Sequence, residues 1–129
     1  MQKISHIQIN DYLEQNFPEF VASVEYDSEE KETPYVFFGS FNRLVQKWLQ
    51  DKNEAMVERF FKFVNDFYAQ PEIDSDAENL FAVELFEPFL SEQYYSIFNL
   101  KLNGKAKQEY LKMYNWKPAK NIEINMKGV

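Results

Sequence analysis

The chain has 129 residues, of which 45% are hydrophobic and 18% aromatic, a composition that suits one domain with a real core and argues against disorder. It contains no cysteine, which excludes disulfides, thiolate catalysis and cysteine-based zinc sites. Its net charge of −7 disfavours general binding to nucleic acids or anionic membranes. No apolar run approaches the roughly 18 residues that cross a bilayer, and the first residues lack a signal-peptide core, so we expect a cytoplasmic protein.

The charge is distributed unevenly along the chain. The first 100 residues contain 19 acidic and 7 basic residues, whereas the last 29 contain 7 lysines and 2 glutamates. The acidic part is rich in aromatic residues but has one histidine and no glycine-rich loop. These features favour a protein that binds a basic partner over an enzyme.

Hydrophobic periodicity and capping signals predict an all-α fold. In chain order, the predicted segments are a short helix capped by Asn10 or Asp11, a helix from Pro18 to about Tyr26, an acidic loop over Asp27–Glu32, helices over Pro34–Gln50 and Glu54 to about Gln70, a helix beginning at a Ser75–Glu78 capping box, and helices over Glu92–Leu102 and Lys105 to about Asn115. We therefore expect a compact bundle or a short HEAT-like solenoid of six or seven helices, forming a single domain over residues 1–116.

The predicted helix faces determine the expected core. In the third helix, Phe37, Phe41 and Trp48 recur at helical spacing. The second helix is predicted to carry Phe20, Val21 and Val24 on one face. The number of aromatic residues exceeds what a small core easily hides, so tyrosines such as Tyr68 are candidates for exposed contact residues, although packing at the edge of the core is favoured for any one of them.

The basic C-terminal segment, Lys117–Val129, has a different pattern. Ile122, Ile124 and Met126 alternate with polar residues, which predicts a short strand or a docked extended segment, with disorder as the alternative. We interpret residues 117–129 as a basic tail, docked or mobile. It either folds back onto the acidic body or contacts nucleic acid, and the strongly acidic body disfavours nucleic acid.

One acidic run superficially matches a calcium loop. Asp74, Asp76 and Glu78 occupy the first, third and fifth ligand positions of an EF-hand. The sixth position, which requires glycine, is Asn79, and the twelfth, which requires glutamate, is Leu85. We therefore interpret these acids as helix-capping residues and predict neither a metal nor a cofactor.

Candidates for nucleophilic catalysis are equally weak. His6 is the single histidine and has no sequence-evident partner, so we interpret it as a surface residue. Ser40 follows Gly39, but both flanks fail the nucleophile-elbow pattern. No catalytic residue is predicted.

Two segments carry a family resemblance: Pro34-Tyr35-Val36-Phe37-Phe38-Gly39-Ser40-Phe41, and Leu80-Phe81-Ala82-Val83-Glu84-Leu85-Phe86-Glu87. Over about residues 34–90 the chain resembles small acidic all-helical bacterial domains that are similar to the immunity proteins of polymorphic toxin systems. The resemblance implies a cytoplasmic inhibitor that binds one cognate toxin. It implies no catalytic residues and does not account for the basic C-terminal segment.

The predicted binding face combines acidic side chains with tyrosine anchors. It consists of Glu72, Asp74, Asp76, Glu84, Glu87 and Glu92, with Tyr94 and Tyr95 as anchors. An acidic face of this kind complements the basic cleft of a toxin that acts on nucleic acid. Two alternatives remain: a small carboxylate-dependent metal-binding hydrolase, and a regulator that uses its basic tail on nucleic acid. These features do not predict the oligomeric state.

Overall fold

Seven α-helices follow one another in the computed structural model, which describes the backbone of residues 4–127 and the side chains of residues 4–116. They are α1 (Ile9–Asn16), α2 (Pro18–Val21), α3 (Pro34–Gln50), α4 (Glu54–Tyr68), α5 (Ser75–Phe81), α6 (Glu92–Lys101) and α7 (Gly104–Lys127). The described backbone contains no β-strand, which confirms the all-α prediction.

Three short irregular helices join these elements. A 3-10 helix spans Ser28–Glu32, where an acidic loop was expected, and its N-terminus is capped by the Asp27 side chain, which accepts a hydrogen bond from the Glu29 N–H at 3.0 Å. A π-helical turn over Ala82–Phe86 and a 3-10 turn over Glu87–Phe89 continue α5. The chain thus reaches α6 through backbone that departs from regular α-helical hydrogen bonding, so its buried polar groups need other partners.

The helix α4 is central to the packing. It forms an antiparallel hairpin with α3 and also contacts α7, which pairs with α6 in a second hairpin. The α3 bounds are those that the sequence predicts, since Pro34 starts the helix without needing an N–H donor. At the corner, Asn53 caps α4 by accepting a hydrogen bond from the Met56 N–H at 3.3 Å.

Aromatic side chains fill the space between the helices. All thirteen phenylalanines are buried, and the tightest ring contact stacks Phe67 on Phe81 with centroids 3.8 Å apart. Tyr68 is buried as well and stacked on Phe86, which agrees with the favoured packing against the core and excludes the alternative of an exposed contact residue. The π-helical turn packs over the end of α4. The periodicity of a single helix cannot predict burial by a segment from elsewhere in the chain.

The second helix is shorter than predicted. It ends at Val21 instead of near Tyr26, and Phe20 is buried whereas Val24 is 90% exposed, so the predicted helix face that joins these two residues does not form. The Ser23 hydroxyl donates to the Phe20 carbonyl at 2.8 Å. This bond offers the backbone an alternative to further helix, as short hydroxyl side chains often do.

The predicted cap of the first helix is also wrong. Gln8 precedes α1 and its side chain makes no capping bond, whereas Asn10 lies inside the helix. The Asp11 carboxylate instead pairs with Lys31 at 2.8 Å, and the Asn10 side chain donates to the Lys31 carbonyl at 2.6 Å. Contacts with a distant segment therefore determine the roles of both residues.

The C-terminal backbone does not form the extended segment that the sequence suggested. The helix α7 continues to Lys127. Ile122 and Met126 are four residues apart as well as alternating, so their spacing also fits one face of a helix. The side chains of residues 117–129 lie outside the described part of the structure. The prediction that this tail docks on the acidic body concerns those side chains and therefore stays a prediction.

Candidate functional site

The acidic side chains predicted to bind a partner lie in a stretch without positive charge. Between Lys62 and Lys101 there are eight acidic residues and no lysine or arginine. This stretch comprises the end of α4, α5, the π-helical turn and most of α6. The stretch therefore has a high density of negative charge along the sequence, and this density does not depend on how the stretch packs.

Several acids of the N-terminal half are neutralised by internal ion pairs. Lys31 pairs with Asp11 and Glu14, and the remaining pairs in the N-terminal half are Glu25 with Arg43 and Lys47, and Glu19 with Arg59. In contrast, five of the six predicted acids make no ion pair with any cation among residues 4–116: Glu72, Asp76, Glu84, Glu87 and Glu92. Their charge remains available to a partner.

Asp74, the sixth predicted acid, has a structural role. Its carboxylate accepts hydrogen bonds from the N–H groups of Asp76 at 2.9 Å and Ala77 at 3.1 Å, and a longer one from His6 at 3.4 Å. Asp74 thus caps α5 and anchors the N-terminal segment. The predicted Ser75–Glu78 capping box is wrong, because Asp74 takes that place.

Glu84 occupies the most constrained position of the set. It lies in the π-helical turn, half-buried, and its Oε1 is 3.4 Å from the point that a β-carbon on Gly39 would occupy. Burial raises the pKa of the Glu84 carboxyl above its ordinary value, and the nearby Glu87 carboxylate raises it further. Two like charges therefore lie close together without an internal cation among the described side chains.

The backbone of this turn is held from α3. The buried Asn42 side chain donates a hydrogen bond to the Glu84 carbonyl at 2.9 Å and accepts one from Gln46 at 2.6 Å. A π-helical turn disrupts the regular ladder of helix hydrogen bonds, so a side-chain donor from another helix stabilises it. Asn42 thereby positions the residue whose carboxylate lies beside Gly39.

The other unpaired acids lie at exposed positions. Glu72 is in the loop between α4 and α5, Asp76 and Glu92 are in the first turns of α5 and α6, and Glu87 begins the 3-10 turn. A carboxylate in the first turn of a helix is stabilised by the free N–H groups there. These positions supply surface charge without requiring a partner for stability.

Both predicted tyrosine anchors are half-buried. The Tyr94 ring packs edge-on against Phe89 with centroids 5.0 Å apart, and Tyr95 lies 4.3 Å from Tyr114. Each ring is therefore attached to the core and exposes only part of its surface. Such rings lose little conformational freedom on binding, and their role as anchors stays a prediction.

Two apolar surface residues were not selected from the sequence. Tyr35 and Val36 are 37% and 49% exposed in the first turn of α3, and the Tyr35 hydroxyl accepts a hydrogen bond from Asn79 at 2.6 Å. They lie one turn before Gly39 and off the stripe that contains Phe37 and Phe41. That offset from the buried stripe is the signal that could have identified them.

No group of three or more histidine, aspartate or glutamate side chains among residues 4–116 is arranged to hold a metal ion. His6 is half-buried, and its Nδ1 atom has no hydrogen-bond partner among the described residues. None of the described helices combines the length and the apolar character needed to cross a bilayer.

Comparisons with known proteins give one result. A family model, described as a domain of unknown function (DUF7674), matches residues 10–116. Neither the curated proteins nor the solved structures provide a match.

Proposed function

We propose that the chain, which belongs to the DUF7674 family of domains of unknown function, is a non-enzymatic protein-binding module that neutralises a cognate bacterial toxin in the cytoplasm. The observation that supports this proposal most strongly is the unneutralised charge between Lys62 and Lys101. The partner that this charge fits is a protein with a basic surface. The resemblance of residues 34–90 to immunity-like domains suggests that this partner is a toxin.

The distribution of ion pairs supports an intermolecular role for this charge. Several acids in the N-terminal half are matched by internal cations, whereas five of the predicted acids have none among residues 4–116. The acids of the Ser28–Glu32 helix also make no ion pair in this range, but Lys31 lies among them, whereas the five predicted acids fall in a stretch without lysine or arginine. Clustered like charge destabilises the free fold, because the carboxylates repel one another. A basic partner would relieve that repulsion, and its approach would be accelerated by long-range attraction.

A toxin that acts on nucleic acid suits this surface. Its cleft must attract phosphate groups, so it presents lysine and arginine side chains. An acidic protein can occupy such a cleft and exclude the substrate. The half-buried rings of Tyr94 and Tyr95 would add apolar contact area next to the acidic residues.

The experiment asks whether the adjacent gene encodes a toxic domain and, where it does, co-expresses that domain with the chain. We expect growth to be restored, and we expect the purified pair to associate more slowly as salt is added. Failure to restore growth, or absence of binding, would overturn the proposed function.

A pair of charge reversals tests the choice of face. Glu84→Lys combined with Glu87→Lys should slow association and flatten its salt dependence. Glu29→Lys combined with Glu32→Lys, on the 3-10 helix before α3, is the matched control with the same change in net charge. Equal association rates for both double variants would contradict the assignment of this binding face, but would not contradict toxin binding itself.

A further inference from the structure

One surface combines exposed apolar groups, bare backbone and unpaired negative charge. It consists of Tyr35, Val36 and Gly39 on α3 together with Glu84 and Glu87 on the facing π-helical and 3-10 turns, and we call it the Gly39 surface. The helix α3 and the π-helical turn pack directly against each other, which brings these residues together.

Gly39 leaves the floor of this surface without a side chain. The atom nearest to the position of an added β-carbon is Oε1 of Glu84, at 3.4 Å. A carboxylate oxygen therefore lies next to bare helix backbone. Because glycine weakens the middle of a helix relative to alanine, its presence here opens space at a cost in stability.

The apolar part lies on the same face of α3. Tyr35 and Val36 precede Gly39 by four and three residues, a spacing that places side chains next to one another on a helix. Val36 is 49% exposed, although the phenylalanines on either side of Gly39 are buried. The hydrogen bond from Asn79 holds the Tyr35 hydroxyl at 2.6 Å, so this ring is restrained in the free protein.

The charged part lacks an internal counter-ion. Neither Glu84 nor Glu87 pairs with a cation among residues 4–116, and the Glu84 carboxylate makes no hydrogen bond with a described side chain. The two glutamates are three residues apart, and burial together with the Glu87 charge raises the pKa of the Glu84 carboxyl. A cation placed at this point would satisfy both groups and reverse that effect.

We propose that the Gly39 surface receives an arginine side chain of the partner protein, with its aliphatic stem on Val36 and the Gly39 backbone and its guanidinium at the Glu84 and Glu87 carboxylates. Arginine fits better than lysine, since its planar fork can donate to two carboxylates at once and its stem packs on apolar surface. The inference rests on the proposed function only in taking the occupant to be a basic protein.

The test is a nuclear magnetic resonance titration of the full chain with the tripeptide acetyl-Leu-Arg-Leu-amide. The same peptide with citrulline in place of arginine is the neutral, nearly isosteric control. We expect saturable shifts of the backbone amides of Val36, Gly39 and Glu84 with the arginine peptide and much smaller shifts with citrulline. Equal responses to both peptides, shifts confined to another surface, or no saturable shift at these residues would overturn the inference.

Two variants separate charge from shape. Glu84→Gln should weaken binding of the arginine peptide by about tenfold, the fold-change for losing one charge-assisted hydrogen bond. Glu54→Gln is the matched control, because Glu54 is exposed at the start of α4, beyond the far end of α3. Affinity equally reduced in both variants would indicate general electrostatics and contradict the proposed contact.

The peptide result and the toxin result are independent. Peptide binding at the Gly39 surface without toxin neutralisation would retain this surface and reject the immunity function. Toxin neutralisation that is unaffected by Glu84→Gln would retain the function and reject this surface.

Discussion

The Asn42 side-chain amide donates a hydrogen bond of 2.9 Å to the backbone carbonyl of Glu84, a residue 42 positions later in the chain. This bond joins α3 to the π-helical turn at a point where regular helix bonding is interrupted. It also determines where the Glu84 carboxylate lies relative to Gly39. One buried amide thus connects the core of the fold to the candidate binding surface.

We predict that Asn42→Leu destabilises the protein by about 1–3 kcal/mol, because the substitution leaves the Glu84 carbonyl without its donor. Denaturation by urea would measure the loss. Asn79→Leu is the matched control: its hydrogen bond to Tyr35 is exposed, so we expect less than about 1 kcal/mol. Equal losses for the two variants would contradict the structural role assigned to Asn42.

Tyr110→Phe should cost about 1–2 kcal/mol of stability. The Tyr110 hydroxyl donates to the Phe89 carbonyl at 2.7 Å inside the core, and its removal leaves that carbonyl unpaired. Tyr94→Phe is the control, since the Tyr94 hydroxyl makes no hydrogen bond with the described residues. A thermal melt in which both variants match the parent protein would rule out this contribution.

Glu25→Gln should destabilise the protein at neutral pH and have little effect in acid. Hydrogen bonds from Arg43 and Lys47 lower the pKa of the Glu25 carboxyl. A lowered pKa means that the stabilisation is present above the ordinary carboxyl pKa and is lost as the pH falls through the folded value. Urea denaturation of parent and variant at acidic and neutral pH would measure the difference in their free energies of unfolding. A difference that is independent of pH would contradict this assignment.

Glu84→Gln should change the stability at neutral pH in the opposite direction to Glu25→Gln. Burial, followed by repulsion from Glu87, raises the pKa of the Glu84 carboxyl, so its ionisation opposes folding above the ordinary carboxyl pKa. The variant should therefore be more stable than the parent at neutral pH, and the difference should shrink as the pH falls. A variant less stable than the parent at neutral pH would show that the Glu84 charge has a stabilising partner.

Gly39→Ala should raise stability by about 0.5–1 kcal/mol, the helix preference of alanine over glycine. The added methyl group would meet Glu84 Oε1 at 3.4 Å, an ordinary contact distance. The same methyl group should weaken the arginine peptide in the titration described above, because it fills the floor of the Gly39 surface. Loss of stability, measured by urea denaturation, would indicate that the space at Gly39 is tighter than this distance implies.

Much of the fold follows from local signals. The helix α3 begins at Pro34 and ends at Gln50 as predicted, because its start signal and its apolar stripe both lie within the segment itself. The cap of α4 at Asn53 is similarly local. The cap prediction failed where a distant segment competed, because Asp11 pairs with Lys31. For Tyr68 the local pattern left both packing and exposure open, and the π-helical turn that covers it decided the outcome.

The candidate site also combines features that the sequence shows with features that only the folded structure decides. The run of acids between Lys62 and Lys101 is evident in the sequence. Which acids remain unpaired is not, since Glu78 reaches Lys105 at 3.8 Å only after α5 and α7 pack together. The capping role of Asp74 was anticipated in the comparison with a calcium loop, yet its hydrogen bond to the N-terminal segment was not.

The sequence by itself determined the helical class, the buried phenylalanines and the charge asymmetry, because periodicity and composition depend on neighbours a few residues apart. Only the tertiary structure decided that Glu84 would lie half-buried beside Gly39 and that Tyr35 and Val36 would remain exposed next to it. These relations depend on how α3 packs against a turn more than forty residues away. Burial and electrostatic coupling are properties of that packing, so no local pattern can encode them.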